Sequence, residues 1–428
     1  MLKVSGKETD VRTATVVGAY PPWLPKLDND GWALRSESCQ TPNYGVRRVA
    51  LVRGEGTRVW DADGKEYLDF LAGISVNNLG HCHPRITEVI RRQASALVHC
   101  TNLYTIPMQI ELGRLLLDHG FADRVFFGNS GAEANEAAIK IARRWNRENR
   151  GPDRHEIICF EGSFHGRTMA TLTATGQPKV KTNFEPLLEG FVHVPYNDLE
   201  AARASVGERT GAILVEPVLG EGGVRPATRE FLAGLRELCD ERDLLLIFDE
   251  IQCGLGRIGH LFAYQHYGVE PDIMTLGKSL GGGLPMGAML CRERVAMAFS
   301  PGSHGSTMGG NPLASAAGHA YVSELIQGNW PARARETGEY LVARFKEAVG
   351  TSANIKEIRC VGLMIGIELY ARAPEVLVAC EEAGLLINVT DGQTLRLLPP
   401  LNVSREGVDL AVQILGEAIH AHPAEEAT

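Results

Sequence analysis

The sequence predicts an α/β protein with a doubly wound, mostly parallel sheet in a large domain and a smaller α+β domain built from the N- and C-terminal segments. Strand-like apolar runs alternate with helical spacing between residues 124 and 292, the pattern of a doubly wound sheet. The runs at 244–248 and 273–276 are apolar throughout, as expected of strands buried on both faces. A chain of 428 residues can form one large domain and a companion. We predict segments 1–75, 76–325 and 326–428, the first and last forming the arm and the smaller domain.

Composition narrows the class of protein. At 44% hydrophobic and 22% charged residues the chain is typical of a soluble globular protein. Its formal net charge of -9 and lack of a long basic run argue against a nucleic-acid partner. The nine cysteines form no C-x-x-C pair, which favours reduced thiols and a cytoplasmic location. We expect no signal peptide, and because no apolar run approaches the length of a membrane span we expect no membrane partner.

The N-terminal part is predicted to be an irregular arm followed by antiparallel sheet. Residues 1 to about 45 carry charge and proline without clear periodicity. Strands are predicted at 48–53, 57–60 and 66–70, with a hairpin turn at 61–64. Helical spacing predicts helices at 86–98 and 106–118. Between them, His81-Cys82-His83 reads as a turn before Pro84, because ligands so close in sequence cannot easily converge on one tetrahedral metal ion. We predict no metal site.

The large domain opens with a candidate anion site. A strand at 124–127 runs into a turn of small residues, and a long helix follows through Trp145. Backbone N–H groups and the helix dipole make such a helix start attractive to anions. We therefore predict a phosphate cup formed by Ser130, Gly131 and Ala132. An ordinary capped helix would be about as consistent with this segment alone.

Two glycine-containing loops follow the next strands. The strand at 156–160 leads to Phe164, which can stack on a planar cofactor, and to Arg167, which can clamp a carboxylate through two parallel hydrogen bonds. Phe164 alone would more often be a core residue. The strand at 212–218 leads to Glu221 in a glycine-rich loop, and a helix is predicted at 229–240 before the strand at 244–248.

The two candidate catalytic residues lie at the ends of two neighbouring predicted strands. Asp249 directly follows the run at 244–248, and Lys278 follows the run at 273–276 after one glycine. Carboxyl ends of parallel strands face one crevice, so both side chains are expected there. Pyridoxal 5'-phosphate needs a lysine amine to hold its aldehyde as a Schiff base and a carboxylate to keep its ring nitrogen protonated. Separately, Asp249 is more often a turn residue and Lys278 a surface charge. The apolar run before Lys278 and the glycines after it favour burial, which lowers the pKa of a lysine.

Residues 254–259 match the G-x-G-x-x-G pattern of dinucleotide-binding folds, but we reject that interpretation. The glycines come after an intervening segment instead of in the strand-to-helix turn. Gly268 and Pro271 then interrupt the chain before a full crossover helix can form. We predict a glycine-rich loop packed near a crowded site.

The C-terminal part is predicted to be an α+β lobe. A polar, glycine-rich loop at 304–312 is suited to phosphate contact and precedes a helix. Helices are also predicted at 332–349 and 410–419, and strands at 355–360, 364–369, 385–389 and 395–398. Arg396 lies inside an apolar strand, where an unpaired guanidinium is costly. Its partner is predicted to be Glu221 or a substrate carboxylate, while an edge-strand arginine pointing to solvent is equally compatible.

Together these motifs resemble those of the class III pyridoxal phosphate aminotransferases. The resemblance spans residues 46 to 420 and rests on 129–136, 164–167, 216–223, 249–252, 277–278, 304–312 and 395–396. Within the class the chain looks most like the acetylornithine enzymes, with ornithine δ-aminotransferases more distant. The resemblance implies fold type I, a homodimer with active sites at its interface, and two small-molecule substrates, an amino donor such as N-acetylornithine and the acceptor 2-oxoglutarate.

The resemblance also implies a role for each matching residue. Lys278 would bind the cofactor and shuttle protons, Asp249 would pair with the pyridine nitrogen, Gln252 would contact the ring hydroxyl, and Phe164 would stack on the ring. Gly131 and Ala132 would bind the phosphate, joined by Thr307 from the other subunit. Arg167 with Ser306 would hold the N-acetylornithine carboxylate, Arg396 would hold the α-carboxylate of glutamate, and Glu221 would neutralise Arg396 when the donor is bound.

The resemblance does not fix which amino donor the enzyme uses. Ile74 lies where ornithine δ-aminotransferases carry a carboxylate-binding tyrosine, which favours the acetylated donor. Met308 and Leu219 depart from the residues usual in acetylornithine enzymes, which leaves room for another ω-amine of a specialised pathway. An aminomutase on the same fold, or a regulator that binds the cofactor without catalysis, are the alternatives; dependence of turnover on 2-oxoglutarate separates the first from a transferase.

Overall fold

The computed structural model describes residues 24–45, 47–350 and 352–424. Residues 1–23 of the predicted irregular arm lie outside this part. Within the arm, the expectation of irregular chain is wrong at α1 (Asn29–Cys39). The carboxylate of Asp28 caps this helix by accepting a hydrogen bond from the Gly31 N–H at 2.8 Å. None of the residues of α1 is buried, so the helix has no apolar face that periodicity could have detected.

The remaining elements follow in chain order. The first group is β1 (Leu51–Glu55), β2 (Arg58–Asp61), β3 (Glu66–Asp69), α2 (Ala72–Ser75), α3 (Pro84–Ala96) and α4 (Pro107–Asp118). The second is β4 (Arg124–Gly128), α5 (Gly131–Asn149), β5 (Glu156–Phe160), α6 (Met169–Ala174), β6 (Phe191–Val194), α7 (Leu199–Ala204), β7 (Thr210–Val215), β8 (Val218–Leu219), β9 (Arg225–Pro226), α8 (Arg229–Arg242), β10 (Leu245–Asp249), α9 (Ala263–Tyr267), β11 (Ile273–Leu276), β12 (Gly287–Cys291) and α10 (Glu293–Ala296). The third is α11 (Pro312–Gln327), α12 (Trp330–Val349), β13 (Ile355–Val361), β14 (Met364–Leu369), α13 (Ala373–Glu382), β15 (Leu385–Leu386), β16 (Asn388–Thr390), β17 (Thr394–Leu397) and α14 (Arg405–Ala421).

A seven-stranded sheet with the order β4-β12-β11-β10-β7-β5-β6 forms the centre of the molecule. Only β12 among these strands is antiparallel to its neighbours, which are β4 and β11. Along β10, Leu245 and Ile247 pack on one face of the sheet, and Leu246 and Phe248 pack on the other. The predicted α/β fold with a mostly parallel sheet is therefore confirmed.

Two four-stranded sheets complete the fold. In the first, β1-β2-β3 is joined by β15, which runs parallel to β3 with Leu385 opposite Leu68. The second has the order β13-β14-β17-β16 and is antiparallel throughout. The single strand predicted at 385–389 is wrong, because β15 and β16 belong to different sheets and the chain changes sheet at Ile387. The proposed segment boundaries remain a prediction.

The loop between β10 and α9 carries the G-x-G-x-x-G pattern. It consists of turns, and the helix that follows has only five residues, so no crossover helix of dinucleotide-binding length follows β10. A second unusual segment is α2, whose four residues all have left-handed φ values between 50° and 64°. Among the described helices, none has the length and apolar character needed to cross a bilayer.

Candidate active site

A cavity of about 260 Å³ opens at the carboxyl ends of β10 and β11. Most of the predicted site residues line it, namely Gly131, Ala132, Phe164, Arg167, Glu221, Asp249, Gln252 and Lys278. His165, Gly166, Glu216 and Ile251 complete the lining. Residues far apart in the sequence therefore meet at the edge of the sheet where strand topology places functional groups.

Asp249 is the last residue of β10 and is held from several sides. Its Oδ2 accepts a hydrogen bond from Asn135 Nδ2 at 2.7 Å and lies 2.8 Å from His165 Nδ1. Its Oδ1 accepts a bond from the Ile251 N–H at 3.0 Å. Asn135 is fixed in turn, because its Oδ1 accepts a bond from Thr275 Oγ1 at 2.7 Å. The carboxylate of Asp249 thus has a fixed orientation at the cavity wall.

Lys278 begins a short 3₁₀ turn directly after β11 and has a φ of 45°. This left-handed conformation is unfavourable for a residue with a long side chain, and such strain concentrates at functional sites. Burial lowers the pKa of the Lys278 amine, and the positive charge of Arg396 adds to the effect, while Glu221 opposes it. No described residue forms a hydrogen bond with Lys278 Nζ. A lowered pKa and a side chain without hydrogen-bond partners suit an amine to nucleophilic attack and proton transfer.

The predicted phosphate cup lies at the start of α5. Ser130 is the N-cap of α5, and its Oγ accepts a hydrogen bond from the Glu133 N–H at 3.2 Å. The N–H groups of Gly131 and Ala132 have no hydrogen-bond acceptor among the described residues. A side chain at Gly287 would lie 2.0 Å from the Ser130 carbonyl oxygen, so glycine is required there for β12 to pack against this turn. The turn is held rigidly with two free N–H donors beside the cavity.

Phe164, Arg167 and Glu216 form the opposite wall. The Arg167 guanidinium carbon lies 5.4 Å from the centroid of the Phe164 ring, and Arg167 makes no other polar contact with a described residue. Glu216 Oε1 accepts a bond from the Phe164 N–H at 2.7 Å, and its Oε2 accepts one from the Gly220 N–H at 3.1 Å. Burial and the neighbouring Asp249 charge raise the pKa of Glu216. One carboxyl group therefore ties together the loop of Phe164 and the loop of Glu221.

Arg396 is fully buried behind Glu221 and Gln252, does not itself line the cavity, and forms an ion pair with Glu221. Its Nη1 lies 2.5 Å from Glu221 Oε1 and 3.1 Å from Gln252 Oε1, and its Nε donates to Asn388 Oδ1 at 3.1 Å. Burial alone would raise the pKa of Glu221, but the Arg396 charge lowers it below its usual value. Arg396 Nη2 is buried without a hydrogen-bond partner among the described residues. The predicted pairing with Glu221 is confirmed, and an edge-strand arginine pointing to solvent is excluded.

Ser130 and Arg396 lie next to residues that line this cavity without lining it themselves, whereas Ser306 and Thr307 lie elsewhere. They line a second surface cavity with Asn129, His304 and Met308. Ser306 Oγ accepts hydrogen bonds from Asn129 Nδ2 at 3.1 Å and from the Gly309 N–H at 3.0 Å. Thr307 is exposed. Within one chain, neither residue contacts the Lys278 cavity.

Three residues with important contacts were not assigned a role from the sequence. Asn135 and His165 fix Asp249, and Glu216 joins two loops of the wall. All three lie within the motifs that carry the family resemblance. Their partners lie far away in sequence, so no local spacing could have revealed the contacts.

Comparisons with known proteins agree with this geometry. The family model described as aminotransferase class III matches residues 40–419. The acetylornithine aminotransferase of Methanocaldococcus jannaschii is 47% identical over 395 residues, which cover 91% of this chain and 98% of that protein. That of Caldanaerobacter subterraneus subsp. tengcongensis is 50% identical over 381 residues, covering 88% of this chain and 96% of that protein.

Solved structures of aminotransferases have the same fold as this chain. The ornithine aminotransferase of Toxoplasma gondii superposes with a TM-score of 0.89 at 35% identity, covering 92% of this chain and 96% of that chain. A second structure of that enzyme describes partial occupancy of pyridoxal phosphate at its active site. The acetylornithine aminotransferase of Elizabethkingia anophelis has a TM-score of 0.83 at 33% identity, covering 92% of this chain and all of that chain.

Proposed function

Because this chain belongs to the class III aminotransferases, we propose that it transfers the ω-amino group of N-acetylornithine, or of a closely related ω-amine, to 2-oxoglutarate. The products would be N-acetylglutamate semialdehyde and glutamate. The observation that supports the donor is the 44–50% identity to acetylornithine aminotransferases over most of the chain. The solved structures do not separate the two donors, since the identity is 33% to the acetylornithine enzyme and 30–35% to the ornithine enzymes.

Enzymes of this class depend on pyridoxal 5'-phosphate, and the residues of the cavity fit that cofactor. The free N–H groups of Gly131 and Ala132, with Ser130, suit its phosphate. The fixed carboxylate of Asp249 suits its ring nitrogen, and Phe164 and Gln252 also line the cavity. When bound, the cofactor supplies an electron sink that stabilises negative charge on the carbon next to the substrate nitrogen.

Lys278 is the proposed proton carrier. Its amine has a lowered pKa and no hydrogen-bond partner among the described residues, so it is prepared to accept a proton. Lys278 would hold the cofactor, and its Nζ would serve as the base that moves the donor proton. Lys278 Nζ then takes a proton from the donor carbon that carried the amino group. The carboxylate of Asp249 would hold the ring nitrogen of the bound cofactor.

Two arginines explain how one cavity can accept two substrates. We assign the carboxylate of N-acetylornithine to Arg167, with Ser306, and the α-carboxylate of glutamate or 2-oxoglutarate to Arg396. Since Ser306 does not reach this cavity within one chain, it would join Arg167 from a second copy of the chain. Arg396 can form bidentate contacts with a carboxylate only when Glu221 has moved away. When the donor presents its side-chain amine, Glu221 stays paired with Arg396 and neutralises the guanidinium, which has no carboxylate to bind in that half-reaction.

A homodimer would complete the site. Thr307 is exposed and lies beside the exposed apolar side chains of Leu103, Tyr104 and Met308. Asn102 Nδ2 ties these two loops together by donating to the carbonyls of Ser306 and Gly309 at 3.0 and 3.1 Å. Exposed apolar patches of this kind often mark subunit interfaces. We assign this surface to contact with a second copy, in which Thr307 reaches the phosphate of the partner's site.

We place the enzyme in the cytoplasm. All nine cysteines are free thiols in the structure, and five of them are buried. Such thiols suit a reducing compartment.

A single-turnover experiment tests the donor. The purified holoenzyme is mixed separately with N-acetylornithine, ornithine, lysine and 4-aminobutyrate, and the absorbance of the lysine-bound cofactor is followed. We expect fast loss of that band with N-acetylornithine and slow loss with the others. Faster reaction with ornithine, the substrate named for the Toxoplasma structure, or with another amine would move the enzyme to a different pathway. Full turnover without 2-oxoglutarate would identify an aminomutase instead.

A further inference from the structure

Arg257 is a fully buried guanidinium that no described carboxylate neutralises. It lies in the loop between β10 and α9, and 0% of it is exposed. Its Nε donates to Ser75 Oγ at 3.0 Å, and its Nη2 donates to Asn78 Oδ1. Its Nη1 donates to the carbonyl oxygens of Leu363 at 3.0 Å and Pro399 at 2.6 Å. Burial lowers the pKa of Arg257 to about 10, so it remains charged at neutral pH.

These four acceptors come from two segments at opposite ends of the chain. Ser75 and Asn78 belong to the N-terminal segment around α2, while Leu363 and Pro399 flank strands of the C-terminal sheet. The backbone of Arg257 also takes part, because its carbonyl oxygen accepts a bond from the Leu363 N–H at 3.0 Å. Arg257 therefore joins the central loop to both segments at once.

The C-terminal acceptors lie next to the strands that carry Arg396. Leu363 directly precedes β14, and Pro399 lies just beyond the end of β17. Within this strand pair, Gly366 of β14 is opposite Arg396 of β17. By holding one end of each strand, Arg257 fixes the position of the backbone from which the Arg396 side chain extends.

The same loop also reaches Arg396 at its other end. Gln252, five positions before Arg257, accepts a bond from Arg396 Nη1 at 3.1 Å and lines the cavity. Ser75 closes the connection, because its Oγ lies 3.5 Å from the Gln252 carbonyl oxygen. Arg257, Ser75 and Gln252 thus form a continuous set of polar contacts between the strand pair and the cavity.

Burying a guanidinium without a counter-charge is costly unless its donors are all directed at acceptors. The planar fork of arginine can serve four acceptors in fixed directions, whereas lysine has three donors on a single nitrogen. An apolar residue would avoid the cost of burial but would leave two backbone carbonyls unpaired. Packing alone therefore does not explain an arginine here.

We infer that Arg257 is a positioning residue that sets the Arg396 guanidinium relative to the cavity, and so controls binding of the substrate whose α-carboxylate Arg396 receives. This inference rests on the role proposed above for Arg396. Unlike Arg396, Arg257 forms no side-chain hydrogen bond with a residue that lines the cavity.

The test compares the two half-reactions of the holoenzyme with Arg257→Lys. Glutamate and the amino donor are each titrated in single-turnover experiments. We expect the apparent Kd for glutamate to rise by on the order of tenfold or more, as misplacement of a binding group predicts. The donor half-reaction and the absorbance of the resting enzyme should change little. Ser75→Ala, which removes only the acceptor of Nε, should give a smaller change in the same direction.

A matched control variant separates an effect on the position of Arg396 from an effect on the stability of the fold. Phe345→Leu reduces a buried side chain of α12 in the same lobe, away from Arg257 and the cavity. It should lower the thermal midpoint without changing the ratio of the two half-reactions. Equal losses in both half-reactions, no change in either, or the same ratio as Phe345→Leu would overturn the inference. If Arg257→Lys does not fold, Ser75→Ala is judged by these criteria.

The comparison also distinguishes failure of the inference from failure of the proposed function. Should the wild-type enzyme react with glutamate but not with N-acetylornithine, the proposed donor is wrong. The amine that does react then replaces it in the comparison, and the glutamate measurement still decides the role of Arg257.

Discussion

At the scale of single residues, the ion pair between Arg396 and Glu221 leads to a selective prediction. Arg396→Ala should weaken the glutamate half-reaction by about tenfold or more, since a charge-assisted carboxylate contact contributes on the order of 1.5–3 kcal/mol. The donor half-reaction should lose much less, because only one of the two substrates uses this guanidinium. Single-turnover kinetics with each substrate provide the measurement.

Arg225→Ala is a suitable control for that experiment. Arg225 is an arginine outside the cavity that pairs with Glu368 at 3.1 Å. Its removal should leave the ratio of the half-reactions as in the wild type. Equal impairment of both half-reactions by Arg396→Ala would contradict the proposed division of carboxylates between Arg396 and Arg167.

Single residues also show which parts of the site could be predicted from the sequence and which could not. Asp249 and Lys278 could be placed in one cavity because each follows an apolar run that predicts a buried strand. The support of Asp249 by Asn135 could not be predicted, because the two residues are 114 positions apart and no periodicity links them. The position of Ser306 was likewise out of reach, since it depends on how a loop packs against Asn129.

At the scale of elements, the start of α5 allows a comparison between two helix caps. Ser130 caps α5, and Thr228 caps α8 by accepting a bond from the Phe231 N–H at 3.1 Å. Ser130→Ala and Thr228→Ala should each cost about 1 kcal/mol of unfolding free energy. Only Ser130→Ala should also weaken cofactor binding, measured by equilibrium titration of the apoenzyme with pyridoxal phosphate. Equal cofactor affinity in both variants would remove Ser130 from the phosphate site.

A buried carboxyl group at the start of α9 predicts a pH dependence of stability. Glu250 accepts a hydrogen bond from the Tyr264 N–H at 2.7 Å and another from the Ala263 N–H. Burial raises the pKa of Glu250 from 4.5 to about 8. Between these two values the folded state binds more protons than the unfolded state, so its free energy of unfolding should fall as pH rises from about 4.5 to 8.

Urea unfolding of Glu250→Gln at several pH values checks this expectation. The variant lacks the titrating group, so its stability should fall less steeply over that pH range than the stability of the wild type. Glu230→Gln, which removes an exposed carboxylate from the first turn of α8, serves as the control and should keep the wild-type slope. An unchanged slope in Glu250→Gln would show that Glu250 is ionised in the folded state.

The accuracy of the predicted elements follows from how each element is buried. The strands β5, β11 and β14 begin and end at the predicted residues, because each is a continuous or nearly continuous apolar run. The helix α13 was not predicted. Its N-cap has no side-chain hydrogen bond, and Ala373, Val376 and Cys380 are its only buried residues. Such a short buried stripe gives little periodic signal.

At the scale of the whole molecule, subunit exchange tests the proposed homodimer. Lys278→Ala should abolish activity at its own site, and Thr307→Asp should disturb the phosphate of the neighbouring site through like-charge repulsion. In a hybrid dimer of the two variants, one site would carry both defects and the other none. We therefore expect mixing and refolding, or co-expression, to restore about a quarter of wild-type activity if subunits pair at random.

The same experiment shows whether Thr307 acts instead on the active site of its own chain. If Thr307 acts on its own site, every site in the hybrid has a defect and no activity returns. Leu103→Asp provides a separate control, because it places a charge on the exposed apolar surface beside Thr307. This variant should sediment as a monomer, whereas an unchanged dimer would exclude that surface from the interface.

The pairing of β3 with β15 has a consequence for how the protein is made. Leu68 meets Leu385 only after a further stretch of about 300 residues has left the ribosome. At typical rates of synthesis this takes on the order of 15–60 s. During that time the edge of β3 has no partner strand, although the central sheet between them can already be assembled. The strand edge of β3 is therefore a part of the nascent chain that needs protection, for example by chaperones, until synthesis is nearly complete.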